Sequence, residues 1–268
     1  MGFLFSDYNR PGLGVDPDEP RKKGFARLWE IFERDHWFIM LTGLLALVGM
    51  IPFMVGIFAA YHTHSLLVML LSGLVGGMAA SPGICGLADV LLRCLRDEPG
   101  FWWYRYKMAM KRNWKGSLLP GALFGVVLSI QCFTLLHFPQ SDSGLGMLLC
   151  QIVSMLVSTF LFLYVLMQEA LMELPLSKML KNSVWLSIRY FPKTLGASLV
   201  QLVYWMLIML FFPMTATIIL FTSIWLPLLI AFVALYPVVD GAFQIEERLQ
   251  KEQERKRMNT EGGQIFLK

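Results

Sequence analysis

The stretch RCLRDEPGFWWYRYKMAMKRNWKGS, residues 93–117, decides how this chain is read. It carries seven Lys or Arg, two acids, three Trp and two Tyr, and it lies between two long runs that are almost free of charge. Those runs set its meaning. Of 268 residues 56% are hydrophobic and 16% charged, against about 25% charged in a soluble domain. Apolar runs of about 18 residues or more recur, and each is a membrane-span candidate. These grounds weigh against a soluble α/β enzyme, which is kept as the minor alternative. A nucleic-acid binder is excluded, because the basic residues fall between spans instead of forming one face of a soluble unit.

Working outward from residues 93–117, six spans are predicted, at 37–60, 66–92, 118–138, 145–172, 195–212 and 215–239. The second is expected to be interrupted at Ser81-Pro82-Gly83. Helices are the natural choice, because a helix satisfies its own backbone hydrogen bonds in lipid. The runs are too long and continuous for barrel strands. The fold class is therefore all-α: a polytopic transmembrane bundle of six spans in three hairpins. Residues 1–24 are expected to be an aqueous tail without signal-peptide character. Residues 25–245 form the membrane domain, and 246–268 form a charged tail whose EERLQKEQERKR run suits a helical extension.

The charge pattern orients the bundle. The turns YHTHS at 61–65, PQSDSG at 139–144 and Phe212-Pro213-Met214 hold no Lys or Arg, whereas the other four aqueous segments hold all 23. The positive-inside rule then predicts both termini in the cytoplasm.

The opening stretch now has a setting at the cytoplasmic face. On a helix from 101 to 115, Trp102, Trp103, Tyr106, Ala109, Met110 and Trp114 share one side, and Arg105, Lys107, Lys111, Arg112 and Lys115 the other. Such a helix can lie at the headgroups, its aromatic side toward acyl chains and its basic side toward anionic lipid. An ordinary basic loop with aromatic belt residues fits the same pattern. Residues 177–193 and 25–38 read as two further amphipathic elements, with Phe25, Leu28, Trp29 and Phe32 at helical spacing. Trp37, Trp114 and Phe191 stand 77 residues apart in succession, so a threefold repeat of cytoplasmic helix plus hairpin is one reading and similar span lengths another.

The candidate pocket or pathway residues are Gly76, Gly77, Ser81, Pro82, Gly83, Gln131 and Glu169. The run SGLVGGMAASPGICGLAD has little side-chain bulk, and Pro82 removes a backbone donor. This surface either lines a pathway or lets another helix approach closely. Gly121 and Gly125 add a weak GxxxG signal in the third span. Carboxylates near hydrocarbon are functional candidates: Asp89, which Arg93 can pair at i,i+4, Glu169 and Glu173 on one face, and Asp240. Gln131, Gln151, Gln168 and Gln201 can bond between helices. His62, His64 and His137 lack the fixed fourth ligand of a metal site, and the four cysteines lack metal spacing. No phosphate loop, HExxH or GxSxG motif occurs. No catalytic residue, cofactor or metal is expected.

The segment from Pro52 through Gly121 resembles the YesL-like family of bacterial membrane proteins. The resemblance rests on Ile51-Pro52, Ala80-Ser81-Pro82-Gly83, Leu91-Leu92-Arg93 and the run from Phe101-Trp102 to Asn113-Trp114-Lys115. It implies a multi-pass protein of the bacterial cytoplasmic membrane, associated with carbohydrate uptake, and it carries over no catalytic or binding residue. The leading expectation is an accessory or regulatory component acting by contact. Its partners would be anionic lipid at the cytoplasmic face and a membrane-protein partner or a second copy. A small-solute transporter or channel, and an intramembrane enzyme acting on lipid, are the other readings.

Overall fold

Apolar runs of this length make helices, and helices are what the chain forms. The computed structural model describes residues 21–98, 101–137, 144–172, 174–211, 213–249 and 251. In chain order the helices are α1 (Phe25–Gly49), α2 (Ile51–Thr63), α3 (Leu66–Arg96), α4 (Trp102–His137), α5 (Leu145–Leu171), α6 (Leu176–Arg189), α7 (Phe191–Leu210), α8 (Ala216–Thr222) and α9 (Trp225–Phe243). A further helical turn follows at 245–249. The expectations for residues 1–20, Pro99-Gly100, 138–143, Glu173, Phe212, 250 and 252–268 lie outside the described residues.

Five helices (α3, α4, α5, α7 and α9) are long and apolar enough to cross a membrane; α1 and α2, bent by 44° at their junction, make a sixth if counted as one span. The outer surface agrees. Val55, Phe58, Leu67, Leu119, Val153, Met206, Leu210 and Phe221 all face outward, more apolar surface than a water-soluble monomer exposes. The chain is a multi-pass membrane protein.

Several element boundaries differ from the sequence reading, each for a physical reason. The first span is two helices: Pro52 stands in the first turn of α2, where its missing N–H costs nothing. The second span is not interrupted, because α3 runs through Pro82 and packing from α4 covers that stretch. The amphipathic segments at 25–38 and 101–115 are not separate helices. They are the opening turns of α1 and α4, since nothing between them and their spans breaks a helix. The 36 residues of α4 give a rod of about 54 Å, longer than hydrocarbon requires. The third amphipathic element is a helix of its own, α6, ended at Tyr190 just before Pro192. The last span loses its first turns to α8. Ser223 adopts a left-handed φ of 44° there, its hydroxyl donating to the Gly43 carbonyl oxygen at 3.0 Å and its own carbonyl accepting from Tyr204 Oη at 2.9 Å. The breaks fall at Met50 and Tyr190, while α4 has none, so the 77-residue spacing has no matching set of breaks.

The core gathers around α9, where Trp225, Leu228, Leu229, Phe232, Leu235 and Val239 are buried against α1, α3, α5 and α7. Polar side chains join the remaining helices. Gln168 on α5 donates to the Met179 carbonyl at 3.3 Å and Ser183 Oγ at 3.0 Å on α6, and it accepts from Asn182 at 3.0 Å. Tyr164 on α5 shares a 2.8 Å hydrogen bond with Thr194 on α7. The sequence expectation that glutamines bond between helices is met at Gln168.

Candidate functional site

Helices α3 and α4 form one antiparallel pair whose chemistry changes along its length. In the middle they meet backbone to backbone. A Cβ built on Gly77 would lie 2.2 Å from the Gly121 carbonyl oxygen, and one on Gly125 would lie 2.2 Å from that of Gly73. The spacing Gly73-Gly77-Ser81 on one helix faces Gly121-Gly125-Ser129 on the other, and Ser81 Oγ donates to the Ser117 carbonyl at 2.7 Å. Small side chains allow this approach, and dispersion over the shared surface stabilises it.

The candidate pathway residues therefore separate. Gly76 abuts Phe53 of α2, Gly77 abuts α4, and Gly83 faces Ala46 and the Tyr106 hydroxyl. Ser81 and Pro82 are buried. Gln131 is spent between α4 and α5, donating to Ser158 at 2.8 Å and Ser154 at 3.3 Å. Of the seven, Glu169 alone lines the pocket described below, and the small-residue surface is a contact seam.

The aromatic-basic stretch divides differently from its expected two faces. Tyr106, Ala109, Asn113 and Ser117 are the buried stripe on α3, at the i, i+3, i+4 spacing of a helix face. Tyr106 lies over Gly86, where an added Cβ would sit 2.9 Å from its ring. Trp102 stacks on Phe38 of α1, with ring centroids 6.4 Å apart. Trp103, Lys107, Lys111, Trp114 and Lys115 face outward, while Arg105 is half-buried. So the aromatic residues serve two surfaces: Tyr106 joins the helix pair, and Trp103 and Trp114 remain for lipid or a partner.

Toward this end of the pair the contacts become ionic. Asp89, buried, accepts from Arg93 Nε at 2.6 Å and from Arg112 Nη2 at 3.3 Å. The expected i,i+4 pair is present, and Arg112 of α4 is a second cation that local spacing does not reveal. Arg112 also donates to the Ala170 carbonyl of α5 at 3.2 Å and, through Nε, to Asn113 Oδ1 at 3.3 Å. Asn113 donates to Cys85 Sγ at 3.1 Å. Three helices are thus tied together by one carboxylate, one guanidinium and one amide.

Just beyond, Asp97 caps α3 with φ 58° and collects Arg27 at 2.6 Å, Arg34 at 2.5 Å and Arg21 at 3.3 Å. Arg21 reaches on to Glu246 at 2.5 Å. These contacts bring the N-terminal, 93–117 and C-terminal basic segments to one end of the bundle. Partial burial pushes Asp97 upward, but hydrogen bonds and charge from Arg34 and Arg27 outweigh it and hold the carboxyl below its usual range. Glu98 is likewise raised by burial and lowered further by its hydrogen bond from Arg96 and the charges of Arg96, Arg93 and Arg105, ending below its usual range.

At the same end, α4, α5 and α6 leave a half-open pocket of about 260 Å³ lined by Arg112, Asn113, Gly116, Glu169, Met172, Leu174 and Met179. Glu169 is buried, with a relative exposure of 8%, and among the described residues no nitrogen or oxygen donor reaches its Oε1; the weakly donating Cys85 thiol is the side chain beside it. Such an atom is costly and calls for an explanation. Sequence reading singled out Glu169 and Arg112 separately and missed Asn113 and Gly116. The Glu169–Asn113 proximity is visible only once α4 lies on α5. Among the described residues no three His, Cys, Asp or Glu side chains come together as metal ligands.

Comparison with family models, with curated proteins and with solved structures gives no match for this chain.

Proposed function

We propose that this protein is an accessory or regulatory component of a solute-uptake system in the bacterial cytoplasmic membrane. In this reading its six spans form three hairpins, both termini are cytoplasmic, and it acts by contact with a partner and with anionic lipid. The carbohydrate class of solute follows from the YesL-like resemblance alone. The observation that carries the reading is the α3–α4 seam. At Gly73, Gly77, Gly121 and Gly125 the backbones touch, so the stretch that reads as a pathway is filled by helix contact. Chemistry is instead concentrated at one end, where Lys107, Lys111, Lys115, Trp103 and Trp114 are exposed. Basic side chains beside interfacial aromatics are the pattern that engages anionic headgroups or an acidic partner face.

The test is extraction of the full chain in mild detergent. An uptake-system membrane protein should remain bound, and Lys107→Glu, Lys111→Glu and Lys115→Glu together should release it while this chain stays monodisperse. Wild-type protein that purifies alone and moves a solute in proteoliposomes would overturn the contact role in favour of transport. Recovery alone with turnover of lipid would favour an enzyme.

A further inference from the structure

The pocket at α4, α5 and α6 has an ordered chemistry. Its buried carboxylate, Glu169, has an oxygen that no nitrogen or oxygen donor reaches among the described residues, and its neighbour Cys85 offers only a weak thiol donor. Its cation, Arg112, is nearly half exposed, with 45% of the side chain accessible. Arg112 spends Nη2 and Nε on Asp89, Ala170 and Asn113. Of the other lining residues, Met172, Leu174 and Met179 are apolar, Gly116 adds no side chain, and the Asn113 amide is already engaged by Arg112 and Cys85. A ligand that satisfies all three has an ammonium group bearing N–H donors, a nearby phosphate, and an apolar body. The volume of about 260 Å³ falls below the ~300 Å³ at which pockets for drug-sized ligands begin, so it suits a small headgroup.

We propose that this pocket holds the headgroup of a phospholipid bearing a primary amine, of the phosphoethanolamine type. The ammonium donates to the Glu169 carboxylate and the phosphate accepts from Arg112. The requirement for a primary amine comes from Glu169. An ammonium with N–H groups supplies the missing hydrogen bond and a compensating charge, whereas a trimethylated amine supplies charge without a donor. A purely anionic lipid satisfies Arg112 and leaves Glu169 as it is. The pocket's place at the end that gathers the basic segments puts it within reach of headgroups. The proposal does not rest on the accessory reading, since lipid occupancy needs no protein partner.

The purified full chain is titrated in detergent with phosphatidylethanolamine, phosphatidylcholine or phosphatidylglycerol of identical acyl chains, and bound lipid is read by native mass spectrometry. One charge-assisted hydrogen bond should favour the ethanolamine lipid about tenfold over each of the others. Glu169→Gln should reduce that preference to about twofold or less on the same reasoning. Gly116→Leu is the second variant. A Cβ at Gly116 meets nothing within 4 Å, and leucine favours a helix more than glycine, so the change fills the pocket without stressing the bundle. It should lose all three lipids from this site. Equal binding of the three lipids, or a preference unchanged in Gly116→Leu, overturns the proposal. Competition by free O-phosphoethanolamine at an affinity equal to the lipid's would also overturn it, identifying a soluble ligand in place of a membrane one.

Discussion

The two halves of the α3–α4 pair are held by opposite means. Around Gly77 there are almost no side chains, and the contact is backbone on backbone. Around Asp89 there are long side chains, and the contact is the Arg112 guanidinium of α4 on the Asp89 carboxylate, which Arg93 of the same helix also holds. The difference follows from what surrounds each half. At depth no water competes, so shape governs association, and small residues give the closest fit. At the charged end water and headgroups are near, and an ion pair that would be prohibitive in hydrocarbon is tolerable when each charge finds several partners. One pair of helices is thus fixed by sterics at one end and by charge at the other, and each half should fail in its own way.

The largest effect should come from the seam. Gly77→Leu places side-chain atoms where the Gly121 backbone already sits 2.2 Å from a hypothetical Cβ. Backbone cannot swing aside, so the helices must part. The cost should reach or exceed ~3 kcal/mol, the upper part of the range for overpacking. A thermal melt of purified protein in detergent should show it as a large downward shift that salt does not alter. A melt like wild type would mean the seam is not the close contact described.

Asp89→Asn comes next. It removes the charge shared by Arg93 and Arg112. A fully buried partner loss costs ~3–5 kcal/mol, but Arg112 is nearly half exposed, so about 2 kcal/mol is expected. Unlike Gly77→Leu, its destabilisation should shrink as ionic strength rises, because salt screens the uncompensated arginines. An equal deficit at low and high salt would show that packing holds that end as well. Ser81→Ala sits where the two halves meet. It deletes a single neutral hydrogen bond, 2.7 Å to the Ser117 carbonyl, and should cost ~1 kcal/mol. A melt unchanged within error would place the Ser117 carbonyl with a different donor.

Much of this contrast is legible in the sequence, and the remainder is missing for a definite reason. The run of Gly73, Gly76, Gly77 and Ser81 reads as a close-approach surface, and Asp89 with Arg93 reads as an i,i+4 pair, because both depend on residues a few positions apart. The partners across the seam, from Ser81–Ser117 to Gly73–Ser129, are 36 to 56 positions away in the chain, and only the matched G-x-x-x-G-x-x-x-S spacing on α3 and α4 hints at them. Helix breaks show the same limit. Pro52 opens a helix while Pro82 lies inside one, and the two look alike locally. The turn at Ser223 is held by Gly43, 180 positions distant. For the pocket, Glu169 is visible as a carboxylate toward the end of a span, but Asn113 and Gly116 become neighbours of it only through the α4–α5 packing.

The smallest effect is the one that pH reveals, and it belongs to the charged end alone. Asp97 and Glu98 lie beyond the last residue of α3 and are held below the usual carboxylate range by arginines. A carboxyl whose pKa is lowered on folding stabilises the fold above its unfolded pKa, and that contribution is lost as pH falls through the folded value. The melting temperature should therefore be level from about pH 7 to 5 and decline below about pH 4, where free carboxyls take up protons. Arg34→Gln should shallow the decline, since it removes one of the cations that lower Asp97. Its parent side chain is partly exposed, so the bundle itself should be little disturbed. Gly77→Ala, which perturbs the seam only, should melt lower at every pH with the wild-type profile. If Arg34→Gln kept the full acid decline, other carboxylates would control it, and the charged end would not be the pH-sensitive half of the pair.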